Sequence, residues 1–228
     1  MFDIADQILY EDNHLIVLNK RPGQIVQGDK TGDVCLADAV KDFIKRRDAK
    51  PGNVFCGVIH RLDRPVSGVV VFAKTSKALS RMNSMVKERE LKKTYWAMCR
   101  QQPPAENGRL ENWIFRNEKA NRSFVVDSDK SGAKFAVLDY RLLSRSAGGY
   151  HLLEVDLHTG RHHQIRCQLS AMGCPIRGDL KYGAQRSNPD GSISLHARRV
   201  EFVHPVSKMT VVVEAPAPFE NLFCDSVI

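Results

Sequence analysis

Residues 60–72, HRLDRPVSGVVVF, join a charged segment to an apolar one and decide the fold. The apolar part, 68–72, has the valine-rich composition of a short strand buried on both faces. Before it, Asp63 stands between Arg61 and Arg64, and neighbouring positive charge favours the carboxylate form of an acid. A persistent anion in a loop beside a strand suits a nucleophile or general base. A surface ion pair is the alternative, because most exposed acids beside arginines form one.

Working outward, hydrophobic periodicity predicts many strands and few helices. Strands are predicted within 8–20, on both sides of an Asp12-Asn13 turn, and at 54–62, 94–99, 123–126, 135–143, 150–157, 195–203 and 209–214. Helices are predicted near 36–44, capped by Asp33, at 76–90, capped by Thr75 or Ser76, and at 163–172; residues 102–108 are predicted to be an exposed loop. Strict βαβ alternation is absent. The predicted class is therefore α+β: a single catalytic domain over 1–228, with a mostly antiparallel mixed β-sheet flanked by a few helices.

The composition indicates a soluble, cytoplasmic protein with a polyanionic partner. The 228 residues are 43% hydrophobic, and charged residues interrupt every apolar run before it reaches membrane-spanning length. The N-terminus lacks the basic and apolar regions of a secretory signal. Six cysteines without a CxxC pair argue against a structural zinc site and a disulfide framework.

Positive charge is concentrated in two segments. The net charge is +8, and residues 74–100 carry eight basic side chains against two acidic ones, while 141–186 carry seven against three. A solvated surface would explain either segment alone. Because both flank the motifs described here, they favour a nucleic-acid-binding face whose affinity depends steeply on salt.

A second motif runs from His158 to Arg166, and its sequence is HTGRHHQIR. Three histidines within six positions suggest a metal site, but their spacing fits no standard zinc pattern and the arginines would repel a dication. The Thr159-Gly160 turn into a helix suits phosphate contacts instead. Elsewhere, Tyr95 in Lys93-Thr94-Tyr95 lies on a predicted strand, where packing is its usual role; near a carboxylate it could stack on a base or take up a proton.

Taken together, these motifs resemble the RluA class of pseudouridine synthases. Its signature His-Arg-Leu-Asp-x-x-(Thr/Ser)-Ser-Gly is matched by 60–68, except at Val66. Its Lys-x-Tyr is matched at 93–95, and its later signatures are matched by 159–166 and 173–183, with further likeness over 195–205. The resemblance covers about residues 8–216. Gln168 stands where many members have histidine, so no role is transferred to it.

The resemblance implies the site and its chemistry. Asp63 would be the catalytic carboxylate, Tyr95 would stack on the target uracil and remove the C5 proton, and Arg166 would pair with Asp63. Arg61 would help to hold a flipped nucleotide, and the other expected substrate-binding residues are His60, Arg161, Gln164 and Ile165. No cofactor or metal is expected, and the expected partner is a stem-loop in ribosomal or transfer RNA. We also expect a monomer without the N-terminal S4 domain of many members.

Two other functions remain open at this point. A glycoside-cleaving hydrolase would also use a carboxylate, but such enzymes normally pair two acids across the bond, and Asp63 has arginines nearby. A hydrolase would leave an abasic product. Finding an isomer of unchanged mass would exclude the hydrolase. A non-catalytic RNA-binding module would explain the charge but not the ordered signatures, and it predicts that Asp63→Asn changes nothing.

Overall fold

The computed structural model describes residues 3–28 and 32–223. These residues form two compact units, each of which is described by itself. The first unit contains the chain up to Leu91 together with Ala197–Ala215, and the second contains Lys92–His196 together with the chain from Pro216 onward. The single domain expected over 1–228 stays a prediction.

The described residues contain three α-helices, eleven strands and three short 3-10 segments. The helices are α1 (Leu36–Arg47), α2 (Ser76–Glu88) and α3 (Gln164–Ala171). The strands are β1 (Ile8–Glu11), β2 (Leu15–Lys20), β3 (Gly57–Val58), β4 (Ser67–Ala73), β5 (Lys92–Cys99), β6 (Asn107–Asn117), β7 (Arg122–Val126), β8 (Lys134–Arg145), β9 (His151–Leu157), β10 (Leu195–Val203) and β11 (Thr210–Glu214).

The first unit is built around β4. Strands β1, β2, β4 and β10 lie in that order, β3 also pairs with β4, and β11 pairs with β10. All seven residues of β4 are buried, as its valine run predicts. Helix α2 packs on this unit through Ala78 and Met82, which join Val69 and Val71 of β4 in one core. The Thr75 hydroxyl caps this helix by accepting a hydrogen bond from the Ala78 amide at 3.1 Å, as predicted.

Gly68 fixes the start of β4. Its φ of +114° is one that side-chain-bearing residues rarely adopt, and a Cβ there would lie 2.3 Å from the carbonyl oxygen of Ala197. No other residue fits without moving backbone. The glycine therefore sets where the loop containing Asp63 ends and the buried strand begins.

The second unit is an antiparallel sheet with the order β5-β9-β8-β6-β7. A core cluster of Met98, Leu152, Ala217, Phe219 and Phe223 lies in this unit. Gln168 of α3 donates to the Leu110 carbonyl at 3.1 Å and to the Asn112 side chain at 2.7 Å, so the helix lies against β6.

The predicted α+β class with mainly antiparallel strands is confirmed, and three local predictions differ from the structure. Asp33 does not cap α1, because the N-cap position is Cys35 and the Asp33 carboxylate pairs with Arg64. The strand expected over 54–62 shrinks to β3, because the Val71 amide, next along β4, donates to His60 Nε2 at 3.2 Å instead of extending the ladder. Strand β6 begins inside the segment predicted to be a loop and continues to Asn117, where no strand was predicted. The described part of the chain has no helix long and apolar enough to span a membrane.

Candidate active site

Asp63 lies in the first unit, in the loop between β3 and β4. Its carbonyl oxygen accepts a hydrogen bond from the Val66 amide at 3.0 Å, and the Arg64 carbonyl accepts one from Gly23 at 2.8 Å, so the loop has a defined path. The Arg64 side chain forms an ion pair with Asp33 at 2.8 Å. Arg61 is exposed, where it can meet a ligand. Nearby, His60 Nε2 accepts a hydrogen bond from the Val71 amide. This contact ties the His60 ring to β4 and helps to hold the loop.

Lys20, at the end of β2, anchors this loop from inside the protein. Its ammonium donates hydrogen bonds to the carbonyl oxygens of Val66 at 2.5 Å, Arg64 at 3.1 Å and Arg21 at 3.1 Å, and its exposure is 0%. Burial lowers the pKa of Lys20 to about 7, while the negative charge of Asp63 acts in the opposite direction. Lys20 thus ties the loop to β2 and interacts electrostatically with the predicted catalytic carboxylate.

Replacing Lys20 with methionine is expected to destabilise the protein by about 2–3 kcal/mol near neutral pH, because buried carbonyl oxygens would lose their donor. Methionine keeps most of the unbranched stem of lysine, so packing loss is small. Urea unfolding at equilibrium measures the effect, with exposed Lys45→Met as the matched control. Equal stability of Lys20→Met and wild type would show that the ammonium does not hold the loop.

The contribution of Lys20 to stability should also depend on pH. Its pKa of about 7 in the folded protein lies below the ordinary 10.5, so the unfolded chain binds this proton more tightly. Stability therefore rises as pH increases from about 7 toward 10.5, by at most about 1.4 kcal/mol per pH unit. The stability difference between wild type and Lys20→Met should widen over that window; a constant difference would contradict the lowered pKa.

Tyr95 lies in the second unit, on the face of the sheet that α3 covers. It pairs with Val155 of β9, which pairs with Tyr140 of β8. Tyr140 in turn pairs with Gly108 of β6. Asn112 lies four residues after Gly108 on the same strand, and Gln168 of α3 contacts its side chain. Directly paired residues share a face, as do residues an even number apart along a strand. Tyr95 is 6% exposed and faces the side of α3.

The turn before α3 is held by Gln164. Its side-chain oxygen accepts hydrogen bonds from the Thr159 hydroxyl at 2.8 Å and the Arg161 amide at 3.0 Å, and its nitrogen donates to the Val137 carbonyl at 3.1 Å. Gln164 and Ile165 are buried, at 3% and 5% exposure. The substrate contacts predicted for these two residues stay predictions. In the structure, the hydrogen bonds of Gln164 stabilise the turn. Arg161 is half-buried and donates through Nε to the Phe135 carbonyl at 2.9 Å.

Arg166 of α3 is buried and forms a bidentate ion pair with Asp179. Its Nε lies 2.7 Å from one carboxylate oxygen and its Nη2 2.9 Å from the other, and the two residues are 5% and 1% exposed. Its guanidinium carbon also lies 5.0 Å from the ring centroid of Tyr182. Such a geometry fixes the orientation of the guanidinium. The pairing of Arg166 with Asp63 stays a prediction.

The three histidines of the HTGRHHQIR segment have separate partners. His158 Nε2 lies 2.6 Å from Asp139, His162 Nδ1 lies 2.9 Å from the Ser123 hydroxyl, and His163 Nδ1 lies 2.9 Å from the Tyr182 hydroxyl. Across residues 3–28 and 32–223, no group of three His, Cys, Asp or Glu side chains is placed to hold a metal ion.

Lys20 and Asp179 are the supporting residues that sequence reasoning missed. Each had a signal in the sequence. Lys20 is the last residue of a strand, LIVLNK, that begins with four apolar residues, and Lys20 itself is buried. Asp179 follows Gly178 in segment 173–183, which matches a family signature, although no role is predicted for the aspartate from that match.

Comparison with known proteins identifies the relatives of the chain. Residues 14–171 match the family model described as RNA pseudouridylate synthase. An uncharacterised RNA pseudouridine synthase of Synechocystis is 34% identical over 226 residues, covering 96% of this chain and 68% of that protein. Ribosomal large subunit pseudouridine synthase D of Xylella fastidiosa is 34% identical over 230 residues, covering 95% and 67%. The solved structure of human RNA Pseudouridylate Synthase Domain Containing 4 matches with a TM-score of 0.78 and 26% identity, over 94% of this chain and 90% of that one.

Proposed function

This chain belongs to the RNA pseudouridylate synthase family, and from that premise we propose that it isomerises particular uridines of large-subunit ribosomal RNA to pseudouridine through Asp63. The family membership makes it a pseudouridine synthase that acts on RNA. The choice of ribosomal RNA is supported by relatives named ribosomal large subunit pseudouridine synthases C and D. Transfer RNA is the alternative substrate.

The observation that carries the proposal is the anchored carboxylate loop. Asp63 lies inside the segment matched by the family model. Lys20 holds two carbonyl oxygens of its loop, those of Arg64 and Val66, and Gly68 fixes the start of β4. A pre-positioned carboxylate fits a reaction in which the C1′–N1 bond breaks, the uracil turns and C1′ bonds to C5. The C5 proton leaves and N1 gains one, so the mass is unchanged. The target base must first leave its stack, at a cost of about a few kcal/mol.

Tritium release tests this function. RNA labelled at uridine C5 loses tritium to water when C5 forms its bond to C1′. Wild-type protein should release tritium from large-subunit ribosomal RNA, and transfer RNA in a parallel reaction tests the alternative substrate. Mass spectrometry of the digested product should show an isomer of uridine. Abasic sites without tritium release would instead identify a glycoside-cleaving hydrolase.

Tyr95 is proposed to stack on the target uracil and to remove the C5 proton. Tyr95→Phe keeps the ring and removes the hydroxyl, so we expect kcat to fall by about 10²–10³-fold while RNA affinity changes little. Rapid-quench tritium release under single-turnover conditions measures the chemical step. A variant with full activity would show that the hydroxyl takes no part in proton removal.

A further inference from the structure

Lys93 differs from the other buried lysines of the described chain in its lack of partners. Lys20 donates to three carbonyl oxygens, and Lys74 lies 2.5 Å from Glu11 and 2.7 Å from the Asp12 carbonyl. The Lys93 side chain is half-buried, and no hydrogen bond or ion pair joins its ammonium to a described residue. Burial lowers its pKa, and no neighbouring charge acts against that effect. An ammonium removed from water without an anion is costly in the free protein.

The ammonium of Lys93 lies beside Gly160. A Cβ added to Gly160 would be 3.8 Å from Lys93 Nζ and would meet no other atom within 4 Å. Gly160 is not among the residues with positive φ, so its backbone conformation does not require glycine. What the glycine provides is open space in front of the ammonium. Gly160 itself is exposed, so a ligand can reach that space from solvent.

The position of Lys93 links it to the predicted chemistry. Lys93 precedes Tyr95 by two residues on β5, so both side chains lie on the face that α3 covers. Arg161 follows Gly160 directly in the sequence, and its Nε donates a hydrogen bond to the Phe135 carbonyl. The Lys93 ammonium therefore lies beside an exposed glycine, on the side of the sheet where the target base is expected.

We propose that Lys93 and the Gly160 turn form a seat for one phosphodiester group of the RNA. A phosphate supplies the anion that Lys93 lacks, and its oxygens fit the space that a side chain at position 160 would fill. The proposal rests on the proposed function in one respect: it takes the bound polymer to be RNA. Because the seat is a binding element, it can be tested without turnover.

Salt dependence of binding provides the test. The probe is a fluorescein-labelled RNA stem-loop with uridines in its loop, and Asp63→Asn serves as the background to prevent turnover. Lys93→Met should weaken binding about tenfold and lower the slope of log Kd against log salt by about 0.7–0.9, since one phosphate contact is lost. Lys93→Arg should keep most of the RNA affinity and most of the salt dependence. Lys119→Met, in the exposed turn after β6, is the matched control and should change neither.

Two further measurements separate this seat from a structural role. Lys93→Met should unfold at the same temperature as wild type or about 2–4 °C higher, because it removes an uncompensated charge. Gly160→Ala should weaken binding with little change in unfolding, since the added methyl group fits but occupies the seat. An unchanged salt slope in Lys93→Met, or a loss of binding explained by unfolding, would overturn the proposal.

The proposed function and the phosphate seat can fail separately. If wild type releases tritium but Lys93→Met keeps its salt slope, the seat is wrong and the function stands. If no RNA releases tritium but the slope falls as expected, the seat stands and the proposed reaction is wrong.

Discussion

Asp63→Asn is expected to lower tritium release by about 10⁴-fold or more, to the limit of detection, while the protein still binds RNA. An amide keeps the shape of the side chain but is a far weaker nucleophile and base than a carboxylate. Losses of this size are usual when the reacting group of an enzyme is removed. Tritium release under single-turnover conditions, with enzyme in excess over labelled RNA, compares the variant with wild type directly.

The control for Asp63→Asn is Asp33→Asn. Asp33 is an exposed carboxylate that pairs with Arg64 of the same loop at 2.8 Å, so its replacement also removes one negative charge near that loop. An exposed ion pair contributes about 0–1 kcal/mol, so activity and stability should change little. Tritium release by Asp63→Asn near the wild-type rate would overturn the assignment of Asp63. Inactivity of both variants would point to charge in the loop and not to the Asp63 carboxylate.

Elements with strong periodicity were predictable from the sequence, and elements that depend on tertiary contacts were not. The valine run of β4 and the apolar stripe of α2 identify their elements because burial selects those residues directly. Strand β6 was not predicted, because it begins Asn107-Gly108 and then alternates exposed and half-exposed residues, a composition shared by turns. Its pairing with β8 over eight residue pairs makes it a strand.

The candidate site also has residues that the sequence predicts and residues whose roles depend on tertiary contacts. The signature motifs identify Asp63, Tyr95 and Arg166 as candidates, because a family's ordered motifs can be matched residue by residue. The motifs do not say which carboxylate orients Arg166, since Asp179 lies thirteen positions away and its contact depends on the path of the segment between them. They also do not show which lysine ammonium is left without a hydrogen-bond acceptor. That difference between Lys20 and Lys93 exists only in the folded protein.

Asp179→Ala is expected to destabilise the protein by about 3–5 kcal/mol, the largest effect on stability proposed for this chain. It would leave the Arg166 guanidinium buried at 5% exposure without the carboxylate that binds two of its nitrogens. Removing one partner of a buried ion pair costs far more than the pair contributes, because the remaining charge stays desolvated. Equilibrium urea unfolding, monitored by tryptophan fluorescence and circular dichroism, measures the loss.

A double variant tells whether breaking the Arg166–Asp179 ion pair causes that loss. Arg166→Met fills the site with an apolar side chain of similar length, so Asp179→Ala in the Arg166→Met background should cost much less, about 1 kcal/mol. Asp179→Asn keeps hydrogen-bond acceptance and should fall between wild type and Asp179→Ala. If Asp179 positions Arg166 for catalysis, Asp179→Asn should lower kcat more than it changes KM at a temperature where the protein remains folded. Equal costs of Asp179→Ala in both backgrounds would show that the ion pair is not what Asp179 contributes.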